Sequence, residues 1–512
     1  MQGSSLAFIC AIVLGVLGCF ALTRRRSNSL PWPPGPPSLP LIGNWRHLPR
    51  SRHWVSFAKW SRTYKSDVVC VKAFNQAIVV INTQKAAQAL LDQRSSIYSD
   101  RPFFTIVSLA GGDWFLGFMP YAEKWRARRR IFQQAFRDQM CLEYRPKQQS
   151  MAENLIRWLY DDPEDFQRYT NLAAASLSLS IAYAYDTKQR NDPLVQKLQT
   201  AGDIVIELLL PGTSILNEIP LLSRLPSWFP GMGYKSRAEA CRTITDEVLH
   251  SPMDDVKRSM ADGTARESMA SKLLEKLEAD KPEDEKQVEA TIREAVASLY
   301  AGEGATGSAL HVAILALVLH PDVQQRARVE IDSVVGRDRL PTIEDRNALP
   351  YVGAILRESL RWNSNIPLGL PHRATQDDVY EGHLIPKGEL RSQSVYRAML
   401  NEPARYPDPE SFKPERFLQL DGKLNDDDVD VVFGFGRRVC PGRYLADSSA
   451  WLAIACMLAV FDFSNAKDED GFTIPIEGKM LDGTSRRPAP FQCSIKPRDS
   501  MAEALIRGLS AS

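Results

Sequence analysis

Residues 433–442 read Phe433-Gly434-Phe435-Gly436-Arg437-Arg438-Val439-Cys440-Pro441-Gly442. Glycines at 434, 436 and 442 surround one cysteine. Glycine lets a backbone take positive φ and approach a large flat object closely. Arg437 and Arg438 set positive charge beside the sulfur, which favours thiolate over thiol. Pro441-Gly442 then opens an apolar helical run from Tyr444 to Phe461, and a helix N-terminus also stabilises an anion. A thiolate on a glycine-rich loop at a helix start suits a metal ligand or a nucleophile. A buried, inert thiol is the competing reading for any lone cysteine.

Outward from this segment the composition is that of a globular protein. The chain has 512 residues, 44% hydrophobic and 24% charged, which excludes a disordered or fibrous chain. Lys+Arg is 63 against Asp+Glu 62, a net charge of +1. Nucleic acid held by bulk positive charge is therefore not an expected partner. Eight cysteines are too few for a disulfide scaffold at this length, and no Cys-x-x-Cys spacing points to zinc.

From Gln2 to Thr23 there is no charged residue, and the run is apolar from Leu6 to Leu22, Cys10 and Cys19 included. A bilayer-spanning helix needs about 20 such residues. A cleaved signal peptide carries its positive charges before the apolar run; here Arg24-Arg25-Arg26 follow it. The reading is a transmembrane anchor over 4–23 with the body in the cytosol. A basic, proline-rich hinge over 24–45 follows, stiffened by Pro31-Trp32-Pro33-Pro34-Gly35-Pro36-Pro37. One body over 46–500 and a tail over 501–512 complete the division.

Helical periodicity dominates the body. It predicts one long helix from about Gln287 to His320, then helices opening at Pro321-Asp322 and Pro350-Tyr351, where proline suits the first helical position. The charge-rich stretch 252–286 reads as a surface connection. Val68–Val71 and Ala77–Ile81 read as a hairpin. The fold class is mainly α with a small β part.

The spacing Phe433-x-x-Gly436-x-Arg438-x-Cys440-x-Gly442 resembles the haem-binding signature of the cytochrome P450 family. Five fixed residues match by chance on the order of once in ten thousand chains of this length. The resemblance implies the P450 fold, a single catalytic domain behind a transmembrane helix, with Cys440 as axial thiolate to the iron of haem b. A thiolate pushes electron density onto iron and favours O–O cleavage. Other motifs follow in the family's order. Glu358 and Arg361, i and i+3 on one helix face, taken alone read as a surface ion pair. The resemblance joins them to Arg416 of Pro414-Glu415-Arg416-Phe417 as a structural triad. It places Trp125 and Arg129, four apart in a basic helix, on the haem carboxylates, with Arg438 and Arg373 beside them. The other arginines of residues 126–130 would face an acidic redox partner. Implied partners are NADPH-cytochrome P450 reductase, an apolar small molecule and the endoplasmic reticulum membrane, crossed once, with the catalytic domain on the cytosolic face. The likeness is closest to fungal microsomal members of secondary metabolism, notably mushroom enzymes that hydroxylate terpenoids or indoles. Residues 225–231 resemble that group's access lid, and 367–373 a further shared segment.

Two segments depart from the family. Its long central helix carries an acid and a threonine that manage water and protons during oxygen activation. Here the segment reads Ala301-Gly302-Glu303-Gly304-Ala305-Thr306-Gly307-Ser308, so that Gly304 replaces the acid and Ala305 the first alcohol. Glu303 is one position early and Thr306 one late. A helix turns about 100° per residue, so neither takes the usual place. Three readings stay open: a local π-bulge brings Glu303 or Thr306 into position, a substrate hydroxyl or water carries the proton, or the chemistry is not oxygen insertion. Glu303 and Thr306 are the candidate catalytic residues. The second departure is the polar stretch 388–394, where the family has an apolar strand.

Two function classes follow. One is a haem-thiolate monooxygenase fed by NADPH through a separate reductase, since no glycine-rich dinucleotide fingerprint follows a strand. The other is a haem-thiolate protein doing isomerase or dehydratase chemistry, or catalytically impaired.

Overall fold

A computed structural model describes residues 30–509 apart from 40–42, 49–50, 74–75, 209–214, 219, 231, 303, 389–392, 395 and 482–484. The anticipated anchor 4–23, Cys10, Cys19 and residues 24–29 lie outside the described residues, as does Glu303.

The helices that matter below are α1 (His53–Tyr64), α2 (Thr105–Leu109), α3 (Glu123–Ala135), α4 (Arg145–Asp161), α5 (Phe166–Tyr183), α6 (Pro193–Leu208), α7 (Gly233–Ala261), α8 (Met269–Asp280), α9 (Glu285–Tyr300), α10 (Gly304–Leu319), α11 (Pro321–Val334), α12 (Pro350–Trp362), α13 (Arg443–Val460) and α14 (Ser500–Arg507). Strands β1 (Val68–Ala73) and β2 (Gln76–Ile81) form the expected antiparallel hairpin, Val69 opposite Val80. A short strand β3 (Gln393–Ser394) joins β2 in parallel. It lies at the end of the unusual polar stretch, whose middle is outside the described residues. Minor two-stranded pairs complete a mainly helical single domain.

The core forms around α13. Every residue from Ala450 to Val460 is buried there, because a helix apolar all round must be covered on all sides. Helices α4, α10, α11, α12 and α14 supply that cover. Polar ties fix them. Gln324 of α11 donates from Nε2 to the carbonyls of Leu317 (2.8 Å) and Phe463 (2.7 Å) and accepts from the Phe463 N–H. Proline opens α11 and α12 as the sequence predicts. Glu330 accepts the free N–H groups of Tyr351 and Val352 at the start of α12, which would otherwise lack partners.

Three expectations need correction. The long helix is two, α9 and α10, separated by a turn at Ala301-Gly302 where the Gly302 N–H reaches back only to Leu299. Each glycine costs a helix about 1 kcal/mol, and Gly302, Gly304 and Gly307 crowd this point. Residues 252–286 are not a plain connection: α7 runs through Pro252 to Ala261, and α8 starts on a Ser268/Ser271 capping box. Their polarity is that of surface helices. The anticipated boundary at 501 falls inside α14, which buries Ala502 and Ile506.

The proline-rich segment lies along the hairpin. The Pro34 carbonyl accepts the Cys70 N–H (2.9 Å), and the Pro31 carbonyl accepts the Leu384 N–H (2.8 Å). Asn44 donates from Nδ2 to the carbonyls of Pro36 and Pro37, both at 2.8 Å, and accepts the Lys72 N–H. The Lys72 ammonium sits 4.0 Å over the Trp32 ring.

Truncation after Asp499 exposes the surface under Ala502 and Ile506. We expect it to cost about 2–4 kcal/mol of unfolding free energy, while truncation after Leu509 costs nothing measurable in the same denaturant titration.

Candidate functional site

Cys440 ends a loop closed by its own N–H, which donates to the Phe433 carbonyl at 2.7 Å. Gly436 has φ +55°, and a Cβ there would collide with the Leu91 carbonyl. Its N–H donates to the Asp92 carboxylate. The loop is thus pressed onto the segment around Leu91, and only glycine fits. Cys440 is half-buried. Burial pushes its thiol up; the Gly442 N–H and the charges of Arg129 and Arg443 pull it down. Those two arginines, not Arg437 and Arg438, are the cations acting on the sulfur. Arg437 donates to the Tyr121 hydroxyl instead (2.6 Å).

Arg438 is a hub. It donates to the carbonyls of Ser99 (2.7 Å), Leu116 (3.3 Å) and Met119 (2.8 Å), and stacks 4.4 Å over the buried Trp125 ring. Carbonyls satisfy its hydrogen bonds but leave its charge uncancelled. Arg101, absent from the sequence-based set, behaves alike. It is buried and donates to the carbonyls of Gly117, Leu370 and Pro371 (2.6–2.9 Å). Burial and the nearby Arg438 charge press its guanidinium down, with Asp100 opposing.

Helix α3 holds a direct comparison. Arg128 is buried and donates to the Glu294 carboxylate at 2.7 Å. The next residue, Arg129, is also buried, yet no hydrogen bond or ion pair among the described residues engages it, and its Nε is orphaned. A buried charge without a partner costs several kcal/mol. The arrangement fits an anionic group lying between Arg129, Arg438 and the cysteine, which is what a haem with its carboxylates offers.

Arg373 does not join this group. Its Nε and Nη2 donate to Asp100 Oδ2 at 2.9 and 2.6 Å, and it is partly exposed. Arg373, expected from the resemblance beside the haem carboxylates, is paired with Asp100 in this structure. His372 faces inward instead, buried, its Nδ1 2.7 Å from the Tyr98 carbonyl and under the influence of Arg101 and Arg438. The Pro-His-Arg sequence carries this information only once strand direction is known.

Glu358 and Arg361 are fully buried, not a surface pair. Arg361 donates from Nε and Nη2 to the two Glu358 oxygens at 2.6 and 2.8 Å. Arg416 Nε adds 3.2 Å to Glu358, and the Lys413 N–H 2.8 Å. Arg361 also donates to the Leu400 carbonyl (2.9 Å) and the Pro409 carbonyl (3.0 Å). The three residues meet and bind α12 to residues 400–416.

Thr306 is half-buried on the first turn of α10, and no hydrogen bond among the described residues engages its hydroxyl. Gly307 beside it allows α10 to approach α5, since a Cβ there would strike Asn171. A Cβ at Gly304 or Gly442 would meet nothing within 4 Å. Space therefore lies beside both ends of the arrangement.

Known proteins resemble the chain along almost its whole length. The family model described as Cytochrome P450 matches residues 33–494. Cytochrome P450 monooxygenase COX1 of Coprinopsis cinerea is 35% identical over 508 residues, 97% of this chain and 98% of that protein. Tryptamine 4-monooxygenase of Psilocybe cyanescens is 36% identical, covering 95% of this chain and 97% of its own length. Cytochrome P450 monooxygenase claR of Ampulloclitocybe clavipes is 38% identical, with 98% and 92% covered.

Replacing Glu358 by Ala leaves Arg361 buried without its anion. We expect a loss of about 3–5 kcal/mol in denaturant unfolding. The exposed pair Arg126–Glu123 serves as control, and its removal should leave the unfolding midpoint unchanged, because solvent screens it.

Proposed function

The chain belongs to the cytochrome P450 family, whose members are haem-thiolate enzymes, and it is a monooxygenase of that family; on that premise we propose a membrane-anchored enzyme of the endoplasmic reticulum that inserts one oxygen atom into an apolar secondary metabolite. The observation that carries the site assignment is Arg129, a buried cation with no hydrogen bond or ion pair among the described residues.

In this reading Cys440 would hold the haem iron through its thiolate. Arg129 and Arg438, with Trp125 against Arg438, would hold the haem carboxylates, and Arg101 and His372 would support them. Phe433, Gly436 and Gly442 shape the loop, and Glu358, Arg361 and Arg416 brace the segment that supports it. Bound there, haem would supply the activation of dioxygen, which takes two electrons and two protons and gives one oxygen atom to the substrate and one to water. The electrons come from NADPH through a separate reductase. Thr306, whose hydroxyl has no hydrogen-bond partner among the described residues, holds water or substrate near the interruption of the central helix, and Glu303 remains the acid the sequence offers for proton transfer. One relative's name states an indole amine, so the substrate class extends from terpenoid-like to indole scaffolds.

The second reading, isomerase or dehydratase chemistry, draws on Gly304, Ala305 and the helix break at 301–302. Product analysis in labelled dioxygen separates the two. Co-expression with a fungal reductase and a panel of terpene and indole scaffolds should yield labelled product. A converted but unlabelled product would overturn the monooxygenase proposal.

Arg129→Met gives effects of opposite sign. In protein purified without haem it removes a buried unpaired charge, and stability should hold or rise by up to about 4 kcal/mol. The haem retained per chain, read by Soret absorbance, should fall.

A further inference from the structure

Pro252 lies inside α7. Proline has no N–H, so the Val248 carbonyl four residues earlier loses its helical donor. The Tyr300 hydroxyl stands 3.2 Å from that carbonyl and donates to it. Tyr300 is fully buried, its ring edge-on to Tyr183 at 6.1 Å. It is also the last residue of α9, immediately before the turn at Ala301-Gly302 that interrupts the central helix. The repair of one helix is therefore made by the residue that ends another.

The two ends of α7 belong to different cores. Val248, Leu249, Met253 and Val256 pack in the main core. Ala238 and Cys241 pack in a separate cluster with Ile106 and Val107 of α2. Arg242 fastens this outer half to the end of α2, donating to the carbonyls of Ser108 (2.6 Å) and Leu109 (3.2 Å). Asn217 accepts the Ile106 N–H at the other end. The chain leaving α2 then runs to Leu116, whose N–H reaches Ser298 Oγ (3.1 Å) and whose carbonyl accepts from Arg438. The outer half of α7 and α2 thus form one unit, joined to the Cys440 loop; α7 passes from the outer cluster at Cys241 into the main core at Val248, the residue whose carbonyl Pro252 leaves without its helical donor.

We propose that Tyr300 is a positioning residue: its hydroxyl replaces the bond that Pro252 removes, and so couples α7, where it enters the main core, to the interruption of the central helix at 301–302. Movement of the α2–α7 unit over the site is then felt at the residues leading to Thr306. Only this last consequence rests on the monooxygenase reading.

The test is a double-variant cycle of Tyr300→Phe and Pro252→Ala. Alanine at 252 restores an N–H for Val248, which makes the hydroxyl redundant. In the parent, Tyr300→Phe should lower Tm by at least about 2 °C; in the Pro252→Ala background the cost should largely vanish. Hydrogen exchange should rise several-fold in Tyr300→Phe at both 249–256 and 304–310, with the α13 core unchanged. In haem-loaded enzyme, the rate at which 4-phenylimidazole shifts the Soret band should change several-fold in Tyr300→Phe, and the double variant should match Pro252→Ala. Equal Tm costs in both backgrounds, faster exchange in α7 alone, or unaltered 4-phenylimidazole rates would each overturn the proposal. A missing Soret band would count against the haem reading instead, and Tm and exchange would still decide this one.

Discussion

A carboxylate removed from water must be held on every side, and Glu358 is held by two guanidiniums and a backbone N–H. Coulomb attraction in a dry interior is strong, but so is the cost of drying the ions. The pair persists because the donors around Glu358 are complete and Arg361 has carbonyls for its remaining N–H groups. That completeness fixes α12 against residues 400–416. Those residues lead into the Cys440 loop, so one ion cluster sets the frame in which the cysteine is presented.

The site is built on the opposite principle. Arg101 and Arg438 have carbonyl hydrogen bonds and only the field of Asp100 as countercharge, and Arg129 has neither hydrogen bond nor ion pair among the described residues. Asp100, the nearest carboxylate, is committed to Arg373. An interior with surplus positive charge is poor as a free-standing core and well made as a receptor for a flat dianion. The contrast between Arg128, which has Glu294, and Arg129, which does not, rests on adjacent residues of one helix.

What the sequence disclosed depended on range. The Cys440 loop was legible because its constraints are local: glycine where the backbone passes Leu91, and a helix start behind the sulfur. Trp125 and Arg129 share a helix face by spacing alone. Proline at 321 and 350 marked helix starts for a local steric reason. The Asp100 partner of Arg373 was not legible, because the two residues are distant in sequence. Arg101 and His372 were invisible for the same reason. The two halves of the central helix merged into one because an apolar run on either side outweighed glycines that periodicity ignores. The polarity of 252–286 suggested a loop where surface helices stand, since exposure and irregularity leave similar compositions.

The proline-rich segment along β1 has a bearing on association. A sheet edge with unpaired N–H and C=O groups recruits strands from other chains. Here the segment accepts the Cys70 N–H yet has few amides of its own to offer outward, because proline has none. Templating stops at that border. A sheet that cannot be extended at that border keeps encounters between copies from becoming aggregates.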